Sequence, residues 1–161
     1  MKIQATLKEA KEHLRQNWDK GTGCPCCGQL VKLYKRKLNS GMAITLFRIY
    51  QYNGFNPVHV KDFLKDNKLR NNHDWTLLKH WGLLKEEYNE DEDKKHSGVY
   101  HLTQKGVYFL TTKLTLPKHI LIYNNKFQGF SHNLTTFRES LSNNFSYPEL
   151  MQSINIEIKD V

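Results

Sequence analysis

Residues 80–106, HWGLLKEEYNEDEDKKHSGVYHLTQKG, constrain this chain more than any other stretch. An apolar helical pattern stops, an extended pattern runs out and returns, and a helical pattern resumes. Trp81 closes an apolar set with Leu77 and Leu78, and Gly82 follows where a helix commonly ends in a left-handed cap. Residues 83–88 then run as a strand. Residues 90–98 are too charged and too rich in turn formers to be buried, and Val99, Tyr100, His101 and Leu102 resume an extended, partly apolar pattern. Thr103 is the N-cap of a short helix with Val107, Tyr108 and Leu110 on its apolar face. Two strands therefore flank an exposed tip.

The segments before this hairpin read as three helices. Residues 40–52 take Ser40 as N-cap and Ala43, Ile44, Phe47, Ile49 and Tyr50 as a broad buried face, and Asn53-Gly54 ends them. Asn56-Pro57 opens the second, with Pro57 near its first position and Val58, Val60, Phe63 and Leu64 facing the core. After a turn at 67–71, residues 72–81 form the third, with Asn72 as cap and Asp74 complementing the helix dipole.

WGLL, a hairpin, then YHLTQKGVYFL resembles the wing and following helix of winged helix-turn-helix DNA-binding proteins such as the MarR and PadR regulators, over roughly residues 40–112. The expected fold class is α+β. A winged helix-turn-helix core at 39–112 follows an N-terminal helix and cysteine knuckle at 1–38 and precedes a β-hairpin and helical extension at 113–161. In that family the solvent face of the third helix enters the major groove. At the matching positions this chain offers Asn71, Asn72, His73, Thr76, Lys79 and His80, while Trp75, Leu78 and Trp81 carry core spacing.

Residues 6–19 fit an amphipathic helix starting near Thr6, with Leu7, Ala10, Leu14 and Trp18 along one face; His13 and Trp18 read as packing residues. Two glycines in 20–23 then break it. Residues 24–29, CPCCGQ, place Cys24 and Cys27 at C-x-x-C spacing, with Pro25 and Gly28 shaping a turn like those that present two thiolates to zinc. A structural zinc needs four ligands, and no second C-x-x-C exists. Cys26 with a histidine such as His13, His80 or His101, a second subunit, or a metal-free turn held by packing all stay open. A redox pair fits least, since no thioredoxin-like βαβ pattern follows. The motif running into LVKLYKRKLNSGMA is also similar to small bacteriophage proteins that carry a cysteine knuckle before a winged helix.

The formal net charge is +8, and it is unevenly spread. Glu86, Glu87, Glu90, Asp91, Glu92 and Asp93 fall in one eight-residue window without a base, which leaves 24 bases against 10 acids elsewhere, a formal +14. Such a body favours a polyanion. Lys32, Lys35, Arg36 and Lys37 alternate with Leu30, Leu33 and Leu38, and read either as a solvated edge or as a stripe that tracks phosphates. The acidic tip departs from a DNA-binding wing. Glu90, Asp91, Glu92 and Asp93 suit a solubility tip, a wing held off DNA, or a docking surface for a basic protein.

In the remainder, LTLPKHILIYNNKFQGF reads as two strands about Asn124-Asn125, and TTFRESL and YPELMQSI as short helices with Pro148 in the first turn of the second. Ile120, Ile122, Phe127 and Phe130 offer apolar surface for a homodimer or an end cap. Clustered cysteines, short apolar runs and a charged N-terminus suit the cytoplasm, that of a host if the chain is phage-encoded, with no membrane span or signal peptide. Two functions follow. One is a non-enzymatic regulator binding double-stranded DNA; the other is an interaction protein that binds or inhibits a host protein through the acidic hairpin. No nucleophile motif, phosphate loop or H-E-x-x-H occurs.

Overall fold

The computed structural model describes residues 5–71 and 73–154 of the 161 in the chain. The fold is mixed α+β and divides into two compact units: residues 1–37 with 119–131, and residues 38–118 with 132–161.

The first unit starts with α1 (Leu7–Asn17). The Thr6 hydroxyl accepts from the Glu9 N–H at 3.2 Å and the Glu9 carboxylate accepts from the Thr6 N–H at 3.0 Å, so two orphan donors are satisfied reciprocally. Ala10 is buried, but Leu7, expected on the packed face, is exposed. His13 and Trp18 are structural: His13 Nε2 lies 3.2 Å from Thr22 Oγ1, and the Trp18 ring packs 5.6 Å from that of Tyr123. β1 (Thr22–Gly23) and β2 (Leu30–Val31) close a hairpin around the cysteine loop. Leu30, expected to pack, points to solvent, while Val31 and Leu33 are buried. β3 (Tyr34–Lys37) pairs with β8 (His119–Tyr123), and β8 pairs with β9 (Lys126–Phe130), giving the antiparallel order β3-β8-β9. Asn124 and Asn125 turn the β8-β9 hairpin at φ 49° and 60°, the left-handed pair that a two-residue loop requires. The strands expected in a C-terminal extension thus complete a sheet begun by the basic stripe.

The second unit is organised around α2 (Ser40–Asn53). Met42, Ala43, Leu46, Phe47 and Ile49 have no exposed surface, so this helix is covered on most sides. Each such large side chain contributes roughly 1.5–3 kcal/mol on burial. The cap is Asn39, not Ser40: its Oδ1 accepts from the Met42 N–H at 2.9 Å, and Ser40 is already helical. Pro57 does not open the second helix either. Val58, β-branched and suited to pairing, forms β4 (Val58–His59) against β6 (Val99–Leu102), and α3 (Val60–Asp66) follows with His59 as its cap.

Residues 74–81 form a 3₁₀ helix (Asp74–Trp81) where an α-helix was expected. Its buried residues Trp75, Leu78 and Trp81 are spaced by three, and at three residues per turn they fall in one line. The expected cap, Asn72, lies outside the described residues; His73 stands before the helix at φ 60° without a capping bond. Trp81 Nε1 donates to the Pro117 carbonyl at 2.7 Å, and the Trp75 ring meets that of Tyr100 edge-on at 5.2 Å. Gly82 ends the turn at φ 75°, as its position predicts. β5 (Leu84–Glu86) is shorter than residues 83–88, although the Glu87 N–H still donates to the Val99 carbonyl and extends the pairing. The sheet order is β4-β6-β5.

α4 (Gln104–Leu110) is capped by Thr103, as expected, and packs so closely that a Cβ on Gly106 would lie 2.7 Å from the Leu83 carbonyl oxygen. β7 (Leu116–Pro117) pairs with β10 (Leu134–Thr135), and α5 (Phe137–Leu141) and α6 (Tyr147–Gln152) complete the unit, Pro148 lying in the first turn of α6. Phe137 packs against both Phe47 and Phe109. Among the described residues no helix is long and apolar enough to cross a membrane.

Candidate nucleic-acid interface

Lys35, Arg36 and Lys37 of the basic stripe lie on β3, an edge strand with every residue exposed, and Lys32 precedes it. Strand alternation divides it: Tyr34 and Arg36 point to one face, Lys35 and Lys37 to the other. Because β3 is an edge, cations of both faces still line one open border. Residues 20–37 and 119–131 hold Lys20, Lys32, Lys35, Arg36, Lys37 and Lys126 and no Asp or Glu. Lys32 Nζ sits 5.6 Å from the Tyr34 ring centroid, a cation–π contact that leaves the ammonium at the surface.

The register also assembles a set of rings that sequence reading did not. Tyr34 opposes Ile122, which opposes Phe127; Arg36 opposes Ile120, which opposes Phe130. These make two rows across one face. Tyr34 is 55% exposed, Phe127 38% and Phe130 40%. The period-two alternation of YKRK against KFQGF was the available signal, but it becomes useful only once β3 is known to pair with β8.

At the end of the β1-β2 hairpin the Gly28 N–H donates to the Cys24 carbonyl and the Cys24 N–H to the Gln29 carbonyl, each at 2.8 Å. The N–H groups of Cys26 and then Cys27 point at the Cys24 sulfur and hold its thiol below the ordinary value, helped by the neighbouring thiols, while burial pushes the Cys26 thiol up. The three thiols thus lie close together in one tight turn. The donor set stops there: among the described residues no group of three or more His, Cys, Asp or Glu is placed to hold a metal ion. A tetrahedral zinc at Cys24 and Cys27 would need ligands from outside this set.

In the second unit, the positions matched to a recognition helix divide by role. Asn71 is committed to the fold, since its Oδ1 accepts from the His73 N–H at 3.0 Å and from Trp75 Nε1 at 3.2 Å. The Thr76 hydroxyl donates to the His73 carbonyl. Burial, then the charge of Lys79, lowers the pKa of His80, which favours its neutral form. His73 is exposed and Lys79 half-exposed, so the cationic content of this surface rests on Lys79. Nearby, Arg48, Lys68 and Arg70 line a cavity of about 200 Å³ that has no acidic wall.

The hairpin tip folds on itself. Asn89 Nδ2 donates to the Lys94 carbonyl, Asn89 Oδ1 accepts from the Asp91 N–H, and Asp91 Oδ1 accepts from the Asp93 N–H. Lys94 lies 3.9 Å from Asp91. At its base Glu86 is 3.4 Å from His96 and Glu87 is bonded to His101, so these two acids have partners in the sheet. Glu90, Asp91, Glu92 and Asp93 are exposed. No family model, curated protein or solved structure matches this chain.

Proposed function

We propose that the chain is a non-enzymatic regulator that binds double-stranded DNA, with residues 40–102 acting as a winged helix-turn-helix. The observation that carries this reading is the order of the second unit. A helix, a short strand, a second helix and a helical turn precede a hairpin, and the returning strand β6 lies between β4 and β5. In helix-turn-helix proteins the helical element after the turn supplies base contacts. Here that role falls to His73, Thr76, Lys79 and neutral His80. Lys32, Lys35, Arg36 and Lys37 act as phosphate contacts, because each phosphate they neutralise adds a salt-dependent increment of affinity.

A second reading is favoured by the exposed tip: Glu90, Asp91, Glu92 and Asp93 form a polyanionic prong suited to a basic surface on another protein. One paired experiment separates the two. Random-sequence duplexes are titrated at stepped salt between about 50 and 200 mM, and the immobilised chain is used to capture lysate protein. The regulator predicts saturable duplex binding whose log affinity falls linearly with log salt. Absence of a saturable duplex site, with a stoichiometric protein partner lost on changing the four acids to Ser, overturns it.

A further inference from the structure

We infer that the cavity walled by Arg48, Lys68 and Arg70 in the second unit binds a small phosphomonoester with an apolar body, a ligand that the duplex-binding proposal does not require. Surface cations alone do not make a site. Here three of them border one hollow of about 200 Å³ whose floor is apolar, built from Ile44 of α2, Leu64 of α3, Leu69 and Phe145. Leu64 is 1% exposed, so the hollow reaches down to the core. Its walls are held in place. Arg48 Nη1 donates to Gln51 Oε1 at 2.7 Å and the guanidinium lies 5.6 Å from the Phe47 ring centroid, which positions the group and leaves its other nitrogens as donors. After α3 the Lys68 backbone turns left-handed at φ 54°, and the Leu69 N–H donates to the Leu64 carbonyl at 2.8 Å. The segment carrying Lys68 and Arg70 is thereby closed onto the helix end. Among the described residues the Lys68 ammonium and the Arg70 guanidinium have no partner.

Size and charge choose the occupant. Sites for drug-sized molecules start at roughly 300 Å³, so this hollow takes one ring or a short chain together with its anionic group. Among the described residues three cations and no acid line it, so a dianion leaves one positive charge uncompensated where a monoanion leaves two. A phosphomonoester, with a second pKa of about 6, is that dianion at neutral pH, and its oxygens accept from guanidinium groups in pairs. Inorganic phosphate would meet the cations and leave the floor uncovered. A duplex phosphate can touch the rim but brings no apolar group to Leu64 and Phe145. A neighbouring hollow of about 320 Å³ shares Arg48 and Phe145 but has Glu149 in its wall, which disfavours the same anion there.

The test is an NMR chemical-shift titration of the isotope-labelled full chain with phenyl phosphate, inorganic phosphate and benzoate, at about pH 8 so that the phosphates are dianions. Phenyl phosphate is expected to saturate one site, with shifts at the Leu69 and Arg70 amides, and to bind about tenfold or more tightly than either of the others. Inorganic phosphate lacks the ring, and benzoate lacks the second charge. Arg70→Gln, at an exposed position, should weaken phenyl phosphate about tenfold or more through a lost bond between charged groups. Phe145→Ala should weaken phenyl phosphate and leave inorganic phosphate unchanged, a split that a general loss of structure does not produce. Should Phe145→Ala not fold, Arg70→Gln carries the test. Absence of saturable phenyl phosphate binding overturns the proposal, as does equal or tighter binding of benzoate or inorganic phosphate, or unchanged affinity in folded Arg70→Gln. Duplex titrations on the same samples keep the two proposals apart. A duplex salt slope lowered by Arg70→Gln, without saturable phenyl phosphate binding, gives these cations to DNA and overturns this proposal alone; saturable phenyl phosphate binding by a chain that binds no duplex supports it and removes the regulator.

Discussion

The two units each contain a three-stranded antiparallel sheet, β3-β8-β9 and β4-β6-β5, and the two have been given opposite surfaces. In the second, Tyr100, Leu102 and Leu84 are buried, and its charge is gathered in a loop beyond the strands. In the first, rings and cations remain on the strands themselves. Strand pairing is therefore neutral about function. Both sheets bury apolar residues on the central strand, Ile120 in the first and Tyr100 and Leu102 in the second; what separates them is that β3 and β9 keep rings and cations exposed.

The largest expected effect breaks the comparison at burial. Trp81, 1% exposed and bonded to the Pro117 carbonyl, should cost about 4 kcal/mol as Trp81→Ala, through lost packing and an orphaned acceptor. Tyr34→Ala should stay within about 0.5 kcal/mol. Urea midpoints at constant m-value measure both. Equal losses would remove the distinction between a buried ring of the second unit and an exposed ring of the first.

Gly106→Ala comes next, at about 2 kcal/mol, because the added Cβ meets the Leu83 carbonyl and Leu102 Cδ1 at 2.7 and 2.6 Å, and a backbone oxygen cannot swing aside. An unchanged thermal midpoint would mean that α4 is not seated on β5 and β6 as closely as described. Smaller still is the replacement of Glu90, Asp91, Glu92 and Asp93 by Ser, expected to alter stability by no more than about 0.5 kcal/mol. A larger loss on chemical denaturation would make the tip part of the fold. The thiols give the finest contrast: with pH raised stepwise, iodoacetamide should label Cys24 at lower pH than Cys26, since N–H groups favour the Cys24 thiolate and burial disfavours that of Cys26. Peptide mapping that found the reverse order would contradict the turn geometry.

Much of this was legible beforehand where a residue has one local use. Thr103 caps α4, Gly82 takes a left-handed backbone, and Asn124-Asn125 turns a hairpin, because each depends on neighbours within a few positions. The errors fall where the deciding partner is distant. Pro57 signals a helix start, yet Val58 pairs with Tyr100 some forty positions away. Residues 72–81 carry the apolar content of an α-helix, and only the three-residue spacing of Trp75, Leu78 and Trp81 hinted at a tighter turn. Asn71 is a local case instead, its side-chain carbonyl accepting from His73 and Trp75 only two and four positions away. The ring face was invisible through distance: Tyr34 and Phe127 are neighbours only through β8.

The central claim, that a polynucleotide meets the cationic sheet edge and not the acidic hairpin, is tested most directly by duplex salt slopes of two charge variants. Lys35→Ala, Arg36→Ala and Lys37→Ala together remove three candidate phosphate contacts, so the slope should become shallower by about 2.7, at about 0.9 per phosphate. The Ser variant of the four tip acids should keep the wild-type slope and bind equally or more tightly. A triple Ala variant with unchanged slope, or a Ser variant with weaker duplex binding, would contradict the account.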